Sequence, residues 1–280
     1  PATATLTDYD VRIKVCDAAV GVETNAKLYP SGVYKPVGIL QRHGESDRMY
    51  FGLLTGSYTK NTSGGVLRKN VSTIRNEINA SSGEFLYQDS AAVDGIIKTI
   101  DTLRIVDFDY GSHSYDSNCG WITGGPVSEG ECRMWGNPVA EMMYETLRYF
   151  SGTKSPTPEF TYGTTSNDDN DLGLPKPDWL DPYTDGEDVN QNGSLDPGED
   201  LNGNGILDGF DYCAKPFMLV LSDINPTYDS DQLPGSNTNF SGSVSDPLAG
   251  LNVETLADTI SNAEGISGAH FLGQVAADND

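Results

Sequence analysis

The stretch DVNQNGSLDPGEDLNGNGILDGFD, residues 188–211, is one twelve-residue phrase written twice. Asp188, Asn190, Asn192, Gly193 and Leu195 recur as Asp200, Asn202, Asn204, Gly205 and Leu207. Neither helix nor strand suits such a segment. Glycine and asparagine favour turns and left-handed backbone, and carboxylates packed this closely repel one another unless cations neutralise them.

Calcium is the cation whose demands fit. It takes roughly six to eight oxygens, and a twelve-residue loop supplies them from positions 1, 3, 5, 7, 9 and 12, with glycine at position 6 for the sharp turn. The first copy offers Asp188, Asn190, Asn192, the Ser194 carbonyl, Asp196 and Glu199. The second offers Asp200, Asn202, Asn204, the Ile206 carbonyl, Asp208 and Asp211, the last one methylene shorter than glutamate. Two Ca2+ ions are therefore expected, with Leu195 and Leu207 at position 8 anchoring each loop in a small apolar contact. The loops abut, so no helix separates them as in an EF-hand pair that opens on calcium. They resemble the back-to-back Asp/Asn-Gly loops of dockerin and thrombospondin type 3 repeats, which staple secreted proteins. A solvated polar linker is the plainer alternative, since the same residues form turns; two copies in register favour the loops.

Charge sharpens the point. The chain has 280 residues and a formal net charge of -24, with 41 acids against 17 bases. Between 166 and 211 stand thirteen acids and one base, Lys176, so half the excess charge lies in a sixth of the chain. Such a chain is a poor ligand for nucleic acid or anionic membranes, and no run approaches the length of a membrane span. Neither nucleic acid binding nor membrane insertion is expected. Four cysteines, Cys16, Cys119, Cys132 and Cys213, contain no CxxC pair, which disfavours structural zinc. They allow three pairings; Cys119 and Cys132 bracket a Gly-rich loop and are the natural local pair, leaving Cys16 with Cys213. Four reduced thiols are the alternative. The composition fits an extracytoplasmic location.

Outside the loops the pattern is α/β. DVRIKVC (10–16) alternates like a half-exposed strand, MYFGLLTGSY (49–58) is a short apolar run, and PFMLVLSD (216–223) is apolar on both faces, as in a parallel sheet covered by helices. Helical periods lie between. Ile96, Ile97, Ile100 and Leu103 share a stripe. Asn137 caps a helix with Pro138 in its first turn, Val139, Met142, Met143 and Leu147 forming its apolar face. Asn252 caps another, in which Val253, Leu256, Ala257 and Ile260 pack. Strands alternating with such helices predict a parallel sheet. The expected organisation is 1–150 as the first part of an α/β domain, 151–212 as an insertion carrying the tandem calcium loops, and 213–280 as the continuation of the domain. Asp223 closes the most apolar strand, at the edge where ligands bind in parallel sheets; a turn-capping role is the alternative. The histidines number three (His43, His113, His270), and HExxH, GxSxG and Walker sequences are absent, so no enzyme activity is expected.

Several segments carry a family resemblance. YDVRIKVCD, YPSGVYKPVGILQ, MYFGLLTGSYTKNTSGGVLRKNV, CGWI…GECRMWGNPVAEMMYETLRYF and PFMLVLSDINPTYDSDQLPGS resemble the N-terminal half of the PilC/PilY family of type IV pilus tip-associated biogenesis factors and adhesins, most strongly at 119–150 and 216–236. The resemblance implies a von Willebrand factor A-like (Rossmann-like) sheet flanked by helices, a secreted protein at the cell surface, pilus tip or outer membrane, and partnership with minor pilins and a host or surface receptor in adhesion or pilus assembly. It also implies a divalent-ion site built by three loops. Asn137 in WGNPVAE stands where the second loop has threonine, Asp223 matches the third, and the Asp-x-Ser-x-Ser of the first is absent from these residues. A secreted scaffold or hydrolase that merely carries calcium loops is the competing reading; a nucleophile-base-acid constellation in a pocket would favour the hydrolase.

Overall fold

The computed structural model describes residues 14–17, 19–86, 95–115, 128–165, 167–188, 190, 192–201, 203–210, 213–222, 232–234, 248, 250–263 and 265. The chain divides into two compact units, one of Pro1–Tyr50 with Thr73–Leu86, the other of Phe51–Ser72 with Tyr87–Asp280.

In the first unit, strands β1 (Ala26–Leu28) and β2 (Tyr34–Pro36) form an antiparallel hairpin. Tyr29, buried at the end of β1, donates its hydroxyl to Glu45, which also pairs with Lys27. Asp47 accepts from the Thr73 hydroxyl at 2.6 Å and pairs with Arg75 at 2.9 Å. These polar clamps tie the hairpin's unit together around buried Ile74 and Ile78.

The second unit is built on the antiparallel pair β3 (Phe51–Thr55) and β4 (Val66–Ser72), whose register shifts between Phe51 and Leu54. Six of the seven β4 residues are buried. A third, very short pair joins β5 (Phe108–Asp109) to β6 (Ser114–Tyr115). The helices are α1 (Ile96–Thr102), α2 (Val139–Phe150), α3 (Asp168–Asp171) and α4 (Val253–Ala263). Tyr149 of α2 packs against Leu67 and Trp179, its ring 5.7 Å from the indole and edge-on. Tyr144, Phe160 and Leu233 form a second cluster, which Val253 joins from α4.

Several expectations change here. Strand pairing among the described residues is antiparallel throughout, so the parallel sheet is not among them. Residues 216–222 form no strand and are exposed, Leu219 at 75% and Leu221 at 84%. An apolar run needs partner strands on both sides, and none of the described strands is its neighbour. Of the 10–16 strand, only 14–16 are described, and they are irregular. Helix α2 begins at Val139, one residue later than expected, with Pro138 rather than Asn137 in the cap position. Its buried face carries Glu141, Tyr144, Glu145, Arg148 and Tyr149, while Met143 and Leu147 face outward. The reversal has a polar cause. Arg148 donates to Glu145 at 2.9 Å and to the Thr157 hydroxyl at 2.9 Å, and Glu145 accepts from the Thr157 amide at 3.0 Å. A satisfied charge network occupies the inward face. The cap of α4 is as expected, with Asn252 Oδ1 accepting from the Thr255 amide at 2.8 Å.

Residues 151–180, read from composition as the start of an insertion, contribute to this core. Asn70 of β4 donates to the Asp178 carbonyl at 2.8 Å and accepts from the Leu180 amide at 2.9 Å, so its side chain holds the segment as a neighbouring strand's backbone would. Arg68 and Asp169, both fully buried, pair at 2.5 Å. The remaining donors of Arg68 reach Thr55 Oγ1, the Tyr162 hydroxyl and the Gly56 and Pro175 carbonyls. Asp169 also accepts from Ser57 and from the Thr59 amide and hydroxyl. Burial raises the Tyr162 hydroxyl pKa, against the pull of the Arg68 cation.

Candidate metal-binding loops

The double loop grows from a fixed base. The Phe210 amide donates to the Pro182 carbonyl at 2.8 Å, and the Glu187 amide to the Asp208 carbonyl at 2.9 Å. Lys154 pairs with Asp185 at 3.1 Å. From this base the two copies run with the same internal wiring. Asp188 Oδ1 accepts from the Asn192 amide at 3.0 Å and its Oδ2 from the Gly193 amide at 2.9 Å. Asp200 accepts from Asn204 and Gly205 in the same way, both at 2.9 Å. Asn192 Oδ1 accepts from the Ser194 amide, and Asn204 Oδ1 from the Ile206 amide, each at 2.7 Å. Asn192 Nδ2 donates to Asp196 at 2.6 Å, and Asn204 Nδ2 to Asp208 at 2.8 Å. The sequence repeat is thus a repeat of hydrogen bonds at positions 1, 5, 6, 7 and 9.

Glycine at position 6 is required by backbone, not by space. Gly193 has φ 71° and Gly205 φ 73°, and nothing lies within 4 Å of where a Cβ would stand at either. Left-handed backbone at this point turns the amides of positions 5 and 6 onto the position 1 carboxylate.

In the first loop, Glu199 is buried and reaches back across the turn. Its Oε1 accepts from the Asn190 amide at 3.1 Å and its Oε2 from the Asp196 amide at 2.9 Å. Asn190 Nδ2 and Asn192 Nδ2 both donate to Asp196 Oδ2, and these bonds, Asn190 first, hold the Asp196 carboxyl pKa below the usual aspartate range. Of the expected second-loop ligands, Asp200, Asn204, Ile206 and Asp208 are described, while Asn202 and Asp211 lie outside the described residues. Leu195, expected to anchor its loop, is exposed, and Leu207 is half-buried.

One residue was missed by the spacing argument. Glu187, immediately before position 1, is 1% exposed. Its Oε1 accepts from the Leu201 amide at 3.0 Å and its Oε2 from the Asp208 amide at 3.4 Å. It grips the second loop from the first loop's threshold. Only its place, an acid directly ahead of the motif, could have pointed to it.

The described residues fit calcium in part. The position 1 carboxylates are aimed by two backbone N–H groups each, and the turn glycines have the backbone the loop needs. Among the described residues, no three Asp, Glu, His or Cys side chains gather as a metal site on their own. Sites of this kind draw on amide and carbonyl oxygens as much as on carboxylates. A cation here would be held by Asp188, Asn190, Asn192, the Ser194 carbonyl, Asp196 and Glu199, and by their second-loop counterparts. It would supply the positive charge that the acidic segment lacks.

Of the other candidate groups, Asp223 and Cys119 lie outside the described residues. Cys132 is buried in a loop held by Asn61, which donates to the Glu131 and Trp135 carbonyls at 2.9 and 2.7 Å and accepts from the Gly130 amide at 2.8 Å. The expected bridge between Cys16 and Cys213 would run between the two compact units; Cys16 retains its thiol. The Cys16 pKa is raised, by desolvation first and then by its bond to Glu23.

The chain's relatives can now be set beside this geometry. Residues 51–280 match the family model described as PilY1 homolog, second domain. Its lower bound coincides with the start of the second compact unit at Phe51. A type IV pilus biogenesis factor PilY1 homolog from Xylella fastidiosa (strain Temecula1) is 47% identical over 98% of this chain. A second relative of the same description and organism is 45% identical over 22% of the chain. The chain spans 18% of the length of the first relative and 5% of the second. No solved structure matches. A family model covering most of the chain shows that the chain belongs to the PilY1 homolog family.

Proposed function

We propose that this chain is part of a type IV pilus biogenesis factor that acts outside the cell, at the pilus tip or outer membrane. There it serves adhesion or the assembly of the pilus with minor pilins, without catalysing a reaction. The observation that carries this reading is the 47% identity over 98% of the chain to a protein described as a type IV pilus biogenesis factor. In the same reading, two calcium ions stabilise the double loop, and the remaining sheet is A-like. Support for the first comes from the duplicated wiring of Asp188 and Asp200. Support for the second comes from the contact of Asn137 with Ser222, which joins the start of α2 to the end of the apolar run. Deleting the gene should abolish surface pili and pilus-dependent adhesion, and the intact gene should restore both. Normal piliation and adhesion in the deletion strain would overturn the proposal.

A further inference from the structure

Glu187 and Glu199 stand one twelve-residue repeat apart, each the middle of a Gly-Glu-Asp, at 186–188 and 198–200. Both side chains are buried, at 1 and 5% exposure. Their partners, however, do not follow the repeat. Glu199 turns back into the loop it ends, onto the amides of Asn190 and Asp196 at positions 3 and 9. The residue twelve before Asp196 is Thr184, which belongs to neither loop. Glu187 reaches forward instead, to the amides of Leu201 and Asp208 at positions 2 and 9 of the second loop. Its own amide donates to the Asp208 carbonyl, so it holds residue 208 through both backbone groups. A buried glutamate thus meets the position 9 amide in each loop, the first loop's own in one case and a borrowed one in the other.

The borrowing ties the loops together. Glu187 is bonded to Asp188, whose carboxylate gathers the Asn192 and Gly193 amides of the first loop. Its side chain holds the second loop at Asp208, which also accepts from Asn204. Ordering either loop fixes the same residue, so an ion that orders one leaves less chain for the next ion to order. We propose that Glu187 is a positioning residue that couples the two loops, and that two calcium ions therefore bind with positive cooperativity. Each ion raises the affinity for the other by the same factor. The inference rests on the calcium reading and concerns how the ions act on one another.

A calcium titration of the 280-residue chain followed by amide resonances tests it, with Gly193 reporting the first loop and Gly205 the second. Asp200→Ala disables the second loop. With Glu187 present, that change should weaken binding in the first loop about fivefold or more. Glu187→Gln fills the same space but offers one acceptor oxygen to the two amides. In that background Asp200→Ala should weaken the first loop less than about twofold. Equal weakening in both backgrounds would overturn the proposal, because the coupling would then run through the Glu199–Asp200 peptide bond. So would a first loop indifferent to Asp200→Ala, the loops then being independent. In both of those outcomes calcium still binds and the calcium reading stands; no response of either glycine to calcium in the unaltered chain would end that reading and this inference with it.

Discussion

The side-chain amide of Asn137 donates to Ser222 Oγ at 2.8 Å across 85 residues of sequence. It joins the residue ahead of α2 to the last described residue of the apolar run. The neighbouring Asp223 lies outside the described residues. Asn137→Ala should cost about 0.5–1.5 kcal/mol at most, because the contact is exposed. Its clearer signature should be local, with faster proteolysis within 216–222 at nearly unchanged global stability. Unaltered cleavage there would mean that the bond does not pin the segment.

Arg68 and Asp169 are a buried pair whose members are each fully hydrogen-bonded. Removing one charge strands the other. Arg68→Met and Asp169→Ala should each lower the unfolding free energy by about 3–5 kcal/mol, read from urea midpoints. The double variant should lose less than the sum, because no charge is then left unpaired. Strict additivity would mean that the pair is not coupled.

Calorimetry should find two calcium ions bound per chain, with dissociation constants on the order of 10⁻⁴–10⁻³ M, as in extracellular modules. Asp188→Ala should remove one of them. Glu187→Ala should weaken the second loop without removing any of its ligands, because the Leu201 and Asp208 amides lose their acceptor. No uptake below about 10 mM would rule out the loops as sites of this class.

Glu145 sets a pH dependence. Burial raises its pKa, against the pull of the Thr157 hydrogen bond and the Arg148 cation. With the folded value above the unfolded one, its contribution is full below the ordinary glutamate range near ~4.3 and is lost as pH rises through the raised value. Glu145→Gln removes the titration. The stability difference should therefore shift in favour of the variant as pH rises above the ordinary glutamate range. A difference flat with pH would contradict the raised value.

Peptide mapping without reductant should recover Cys119 joined to Cys132, with loss of the bridge costing on the order of 2–4 kcal/mol. A free thiol at Cys119 would end that assignment.

What the sequence could disclose was local. The Asn252 cap sits beside the residues it serves, and the twelve-residue register of the loops reappears as a register of hydrogen bonds. Periodicity failed on α2 because it counts apolar side chains, while the buried face there carries Glu145 and Arg148, which Thr157 meets from beyond the helix. Nothing near Arg68 announces Asp169, 101 residues away. The apolar run at 216–222 forms no strand, because composition records only that a run needs neighbours, not where they are.

The Glu187–Asp208 contact has a mechanical consequence. The Glu187 amide donates to the Asp208 carbonyl, and Glu187 Oε2 accepts from the Asp208 amide, across 21 residues. Tension entering through one end and leaving through the other passes across this clasp and bypasses both loops. Opening it would release about 70 Å of slack, at roughly 3.4 Å per extended residue. Opening of this clasp alone would therefore lengthen the chain in one discrete step, with the length of that step set by the double loop.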